Sequence, residues 1–109
     1  MHVIHIDQGP LIATLTERLA DLGVTSAAIV SLIGAVDEFT VSTMPADDAS
    51  TDIVTTYTRP AEMHGAGEVV NGEPHLHVTM AIEGDQGIAG HLHEAEVGHW
   101  FARVYVLPT

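Results

Sequence analysis

The chain has 109 residues, the size of one ordinary domain, and 46% of them are hydrophobic, enough for one packed core. Fifteen acidic residues face only Arg18, Arg59 and Arg103, there is no lysine, and the formal net charge is -12, so direct binding to nucleic-acid phosphates, which draws on cations, is disfavoured. The absence of cysteine excludes disulfides and thiolate ligands, leaving imidazole and carboxylate to hold any transition metal.

Along the chain, Met1-His2-Val3-Ile4-His5 lacks the charged start and long apolar stretch of a secretory signal, so a cytoplasmic location is expected. No apolar run reaches the roughly eighteen residues of a membrane span, and no membrane partner is expected. His2 to Asp7 alternates weakly as a short strand, and Gly9-Pro10 reads as a stop before a helix. Leu11, Leu15, Leu19 and Leu22 then form one apolar stripe at helical spacing, opposite Thr14, Glu17, Arg18 and Asp21, and Gly23 closes the helix. Ser26 to Ile33 is almost unbroken apolar sequence, and Val36 to Met44 continues it beyond Gly34, as two strands or one strand bent at the glycine.

Pro45 to Asp52 has the composition of a surface loop, and Ile53 to Thr58 that of a strand ended by Arg59-Pro60. Between Ala61 and Glu73, where Gly65, Gly67 and Gly72 fall, a short strand is expected. His75 to Glu83, Ile88 to Val97 and Trp100 to Leu107 read as three further strands, the first two joined by a turn at Gly84-Asp85-Gln86-Gly87. The expected fold class is α+β, a single domain over residues 1–109 with one main helix packed on an antiparallel or mixed sheet.

Four of the eight histidines lie in two His-x-His pairs, His75/His77 and His91/His93. On a strand, side chains at i and i+2 share a face about 6.5 to 7 Å apart, so both members of a pair can converge on one ion through bonds of about 2.0 to 2.1 Å. A hairpin folds the second pair beside the first, where one or both of His91 and His93 supply the remaining ligands. Neutral imidazole suits zinc and also copper, nickel or iron. With an open fourth position such an ion could activate water, with Glu68, Glu73, Glu94 or Glu96 as a base. His64 is an outside candidate ligand, whereas His2, His5 and His99 read as structural or exposed.

Gly72-Glu73-Pro74-His75-Leu76-His77-Val78 followed by Asp85-Gln86-Gly87-Ile88-Ala89-Gly90-His91-Leu92 resembles the signature of the plant- and prokaryote-conserved (PPC) domain. The resemblance is tightest over about thirty residues in the C-terminal half. It implies an α+β fold, a homotrimer, and a metal site made by His75, His77 and His91, as in bacterial and archaeal members. In plants the domain follows AT-hooks in nuclear proteins and mediates protein contacts; this chain has no Arg-Gly-Arg element, and Ala89-Gly90 stands where the family usually has a glycine pair.

The leading functional expectation is therefore a small homotrimeric zinc-type metal-binding protein with a regulatory or small-molecule role. Two others compete with it. A cupin-like metalloenzyme would use His75, His77, Glu83 and His91, but the helix from Leu11 is foreign to a short all-strand barrel. A non-catalytic, transcription-associated interaction module would require a protein partner.

Overall fold

The computed structural model describes residues 1–109. Its elements run β1 (His2–Ile6), β2 (Gly9–Pro10), α1 (Leu11–Asp21), β3 (Ser26–Val36), β4 (Glu38–Thr43), β5 (Ile53–Tyr57), β6 (Ala61–Val70), β7 (Glu73–Ile82), β8 (Gln86–Val97) and β9 (Ala102–Pro108). All strands belong to one antiparallel sheet, ordered β1-β9-β3-β6-β7-β8-β4-β5, with β2 paired to β8.

The expected α+β class is corrected by this architecture: 62% of the residues are strand, and the single helix has 11 residues. The shortfall in strand arose chiefly between Ala61 and Glu73, where glycine weakens the local strand signal. That stretch forms the ten-residue strand β6 in the middle of the sheet, because β3 and β7 supply hydrogen-bonded neighbours on both sides. The apolar run after Ser26 divides at Asp37 rather than Gly34, which lies inside β3 where the backbone at Phe101 leaves no room for a Cβ.

One face of the sheet carries the core. In β7, Leu76, Val78, Met80 and Ile82 are buried while His75, His77, Thr79 and Ala81 point the other way, the two-residue period of a strand with one dry face. Ile4, Ile6, Ile29, Leu32, Met63, Val104 and Val106 join the same cluster. A helix of 11 residues is about 16 Å long. Eight strands side by side measure roughly 34 Å. One helix therefore covers this face only if the sheet coils around it. Accordingly α1 packs against β8, β7 and β1, although β1 and β8 lie far apart in the strand order.

Leu11, Leu15 and Leu19 are the fully buried stripe of α1. Pro10 at its N-cap offers no side-chain acceptor, and Glu94 of β8 takes that role. The Ile12 N–H donates to Oε1 of Glu94 at 2.6 Å and the Ala13 N–H to Oε2 at 3.2 Å, which satisfies two amides the helix leaves open and sets a negative charge at its positive end. At the other end Gly23 turns left-handed, with φ 71°, and donates to the Ala20 carbonyl. No helix is long and apolar enough to cross a membrane.

Glu94→Ala should lower unfolding free energy in a urea titration by about 1 kcal/mol, the typical loss of a helix cap, while Glu94→Gln should lose less. A Glu94→Ala midpoint equal to that of the parent would show that the carboxylate carries no capping energy.

Candidate metal centre

Two short turns determine which side chains meet on the face opposite the core. Asn71 and Gly72 join β6 to β7 with φ of 53° and 79°, the left-handed pair that a two-residue hairpin loop requires. With this turn in place, Glu68 stands directly across from His75 and Ala66 across from His77. The second turn, with Gly84 and Asp85 also at positive φ, joins β7 to β8 and sets His77 opposite His91. His75, His77 and His91 thereby meet, and one nitrogen from each lies within 4.8 Å of the other two.

Their rings are packed without stacking: His75 is 5.2 Å from His77 at 87° and 4.9 Å from His91 at 55°, centroid to centroid. A tetrahedral ion with bonds of about 2.05 Å holds its ligand atoms about 3.3 Å apart. The widest separation here needs to close by about 1.5 Å, which side-chain rotation supplies. All three donors are imidazoles, a set suited to a zinc-type ion, so the residues present fit such a group.

Burial pushes the His91 imidazole below its ordinary pKa, the neighbouring His75, His93 and His77 push it the same way, and the Asp52 carboxylate opposes them. The outcome favours neutral imidazole, the form whose lone pair binds a cation. The cluster borders an open groove of about 1080 Å³ that also receives Val30, Ser42, Asp52 and His64. None of the three arginines lines it.

His93, the second member of its pair, stands outside the three-nitrogen cluster, its ring 4.9 Å from that of His91. The register of β8 on β4 explains this: Leu92 pairs with Val41 and Glu94 with Thr40, leaving His93 as the extra residue of a bulge. Alternation slips there, so burial passes from Leu92 to Ala95 and Val97, and Glu94 is released toward α1. His64 lies on β6 opposite Thr79 and lines the groove. Elsewhere, His5 stacks on Phe101 and His99 bonds Asp37 at 3.0 Å.

Among the four candidate acids, Glu68 lies beside the cluster, with its Oε2 3.7 Å from Nδ1 of His75. Glu94 is engaged by the helix, the backbone of Glu96 lies opposite Glu38 on one side and Pro10 on the other, and Glu73 opens β7 opposite Val70. Asp52 was not legible as a groove residue, because only the β4–β5 hairpin carries its loop to His91. The turn before it is held by Asp48, whose carboxylate accepts from the Ser50 amide and hydroxyl and from the Thr51 hydroxyl.

Residues 1–108 match the Plants and Prokaryotes Conserved (PCC) domain. A plant- and prokaryote-conserved (PPC) protein from Pyrococcus horikoshii superposes with a TM-score of 0.83 at 20% identity, covering 99% of this chain and 78% of that one. A protein described as a "Putative DNA-binding protein" from Ralstonia eutropha gives 0.82 at 24% identity, covering 98% and 76%. A metal-containing protein from Archaeoglobus fulgidus gives 0.78 at 26% identity, covering 98% and 77%. No curated protein matches the chain.

At Gly67 an added Cβ would overlap the carbonyl oxygen of His75. Gly67→Ala should therefore displace β6 from β7, destabilise the fold by about 1 to 3 kcal/mol in urea, and shift the His75 NMR signals, whereas unchanged stability and signals would contradict so close an approach. Hydrogen bonds from Ser50 and Thr51 lower the Asp48 pKa to about 2 from 3.8. Because the folded value is the lower one, any stabilisation is present above 3.8 and fades as pH falls through about 2. A carboxyl NMR titration of Asp48 should find its midpoint near about 2, and Ser50→Ala should move it up.

Proposed function

The chain belongs to the Plants and Prokaryotes Conserved domain family, and on that premise we propose that it is a homotrimeric single-domain protein holding one zinc-type ion per chain on His75, His77 and His91. The observation that carries this reading is the convergence of one nitrogen from each of the three histidines within 4.8 Å. The Archaeoglobus fulgidus relative, described as metal-containing, supports it at 26% identity. A bound ion would supply Lewis acidity at its fourth position, where the groove admits a small molecule. His75, His77 and His91 would hold that ion, and Asp52 adds negative charge on the side of His91. The role served by the site is regulatory or small-molecule binding, in the cytoplasm.

The trimer is supported by the same face of the sheet. Val3, Ile33, Val70 and Leu107 lie there about half-exposed, an apolar surface of the kind that association removes from water. Burial between copies arranged about a threefold axis accounts for apolar residues on a face that the core does not use.

A nucleic-acid role is the second reading, since the Ralstonia eutropha relative is described as a "Putative DNA-binding protein". Three arginines against fifteen acidic residues weigh against it here, because phosphate contact draws on cations. An interaction with a protein partner does not meet that electrostatic barrier.

Elemental analysis of the untagged native protein, with light scattering for its mass, should find one zinc or similar ion per chain in a trimer. A His75→Ala/His77→Ala double variant should lose the ion and retain the trimeric mass. A native protein that lacks metal and also fails to take up added zinc would overturn the metal-binding reading, and a monomeric mass would overturn the trimer.

A further inference from the structure

A metal-bound histidine uses one ring nitrogen for the ion, and the partner of its other N–H fixes which nitrogen that is. Neither composition nor spacing assigns such a partner to His75, His77 or His91. The hairpin register does so for His75. Asn71-Gly72 closes β6 onto β7, Val70 and Val69 pair with Glu73 and Pro74, and the next pair on the histidine face is Glu68 with His75. The carboxylate reaches the nearer ring nitrogen, with Oε2 of Glu68 3.7 Å from Nδ1 of His75.

From this placement we infer that Glu68 is a positioning residue of the proposed metal centre: its carboxylate accepts the Nδ1–H of His75 and thereby presents Nε2 to the ion. The inference rests on the metal-binding reading of the three histidines. Closing 3.7 Å to a hydrogen bond of about 2.9 Å needs a movement of about 0.8 Å, within the reach of a side-chain rotation. Without an ion the contact is weak, since both side chains are about half exposed. Binding of a cation at Nε2 withdraws electron density from the ring and makes Nδ1–H a stronger donor, so the contact gains strength with the ion present. The carboxylate in turn offsets part of the positive charge that three neutral imidazoles leave on a divalent cation. Two structural features keep Glu68 in place. Its neighbour Gly67 has no Cβ and so lets β6 lie close against the His75 carbonyl, and the two-residue turn does not permit the register to slip.

This role differs from that of a general base. A carboxylate holding the Nδ1 proton of a ligand is engaged on the side of the ring away from the ion, whereas a base must face the water on the ion. Glu73 provides a matched control, because it lies on the same face of β7 and its removal costs the same charge.

The test uses zinc alone as the probe, with affinity measured by competition against a chromophoric chelator for the native protein, Glu68→Gln, Glu68→Asp and Glu73→Gln. Zinc affinity should fall about 10- to 100-fold in Glu68→Gln, be partly restored in Glu68→Asp, and stay near the native value in Glu73→Gln, with circular dichroism unchanged in all. Nitrogen-15 NMR of the zinc-loaded native protein should show His75 protonated at Nδ1. Native zinc affinity in Glu68→Gln, equal losses in Glu68→Gln and Glu73→Gln, or protonation of His75 at Nε2 would each overturn the assignment while leaving the metal centre standing. Failure of the native protein to bind zinc would overturn the metal centre itself, and the role of Glu68 with it.

Discussion

The close pairing of β6 with β7 is the constraint on which the histidine face depends. Glycine at 65 and 67 removes the two side chains that would meet the carbonyls of His77 and His75, and Asn71-Gly72, both at positive φ, supplies the two-residue turn that sets this register. A shift of one residue would send His75 and His77 into the core and bring Leu76 and Val78 to the surface, exchanging buried hydrocarbon for buried imidazole. Burial of Leu76, Val78 and Met80 therefore holds the histidines in place as firmly as anything the histidines do themselves. The donor cluster is a by-product of core packing on the reverse side of the same strand.

A second constraint is the coverage of a wide sheet by a short helix. With only α1 available, the sheet coils until β1, β7 and β8 all touch it, and the helix acts as a plug whose Leu11, Leu15 and Leu19 complete the core. The bulge at His93 serves this arrangement. By shifting the alternation of β8 it turns Ala95 and Val97 inward and frees Glu94 to bond the first amides of α1. The same bulge removes His93 from the three-nitrogen cluster. One local irregularity thus settles both how the helix begins and how many histidines of the second pair converge.

The charge balance of the chain favours cations over anions around the histidine face. A net charge of -12 raises the local concentration of cations and lowers that of phosphates, and the groove bordering the histidines contains Asp52 and no arginine. The three convergent imidazoles add a donor chemistry that this diffuse charge lacks, since neutral imidazole suits transition metals. Half-exposed apolar residues, Val3, Ile33, Val70 and Leu107, give the same face a mixed polar and apolar character.

Much of this was legible in the residues alone, wherever the determinant was local. The Leu11, Leu15 and Leu19 stripe of α1 (though not Leu22, which is the exposed C-cap), the two-residue alternation of β7, the turn before β8 and the approach of His91 to His75 and His77 all follow from short-range periodicity and spacing, and the absence of cysteine limited the strong ligands to imidazole and carboxylate. Family membership was legible too, through the motif around His75 and His91. What the tertiary structure decided was long-range. A glycine-rich stretch with weak strand propensity became the ten-residue β6 because β3 and β7 hydrogen-bond it from both sides, and the joining of all nine strands in one sheet with a single short helix makes the domain β-rich rather than α+β. The exclusion of His93, the use of Glu94 as a helix cap and the arrival of Asp52 beside His91 arise from pairings between strands remote in sequence, which no local pattern encodes.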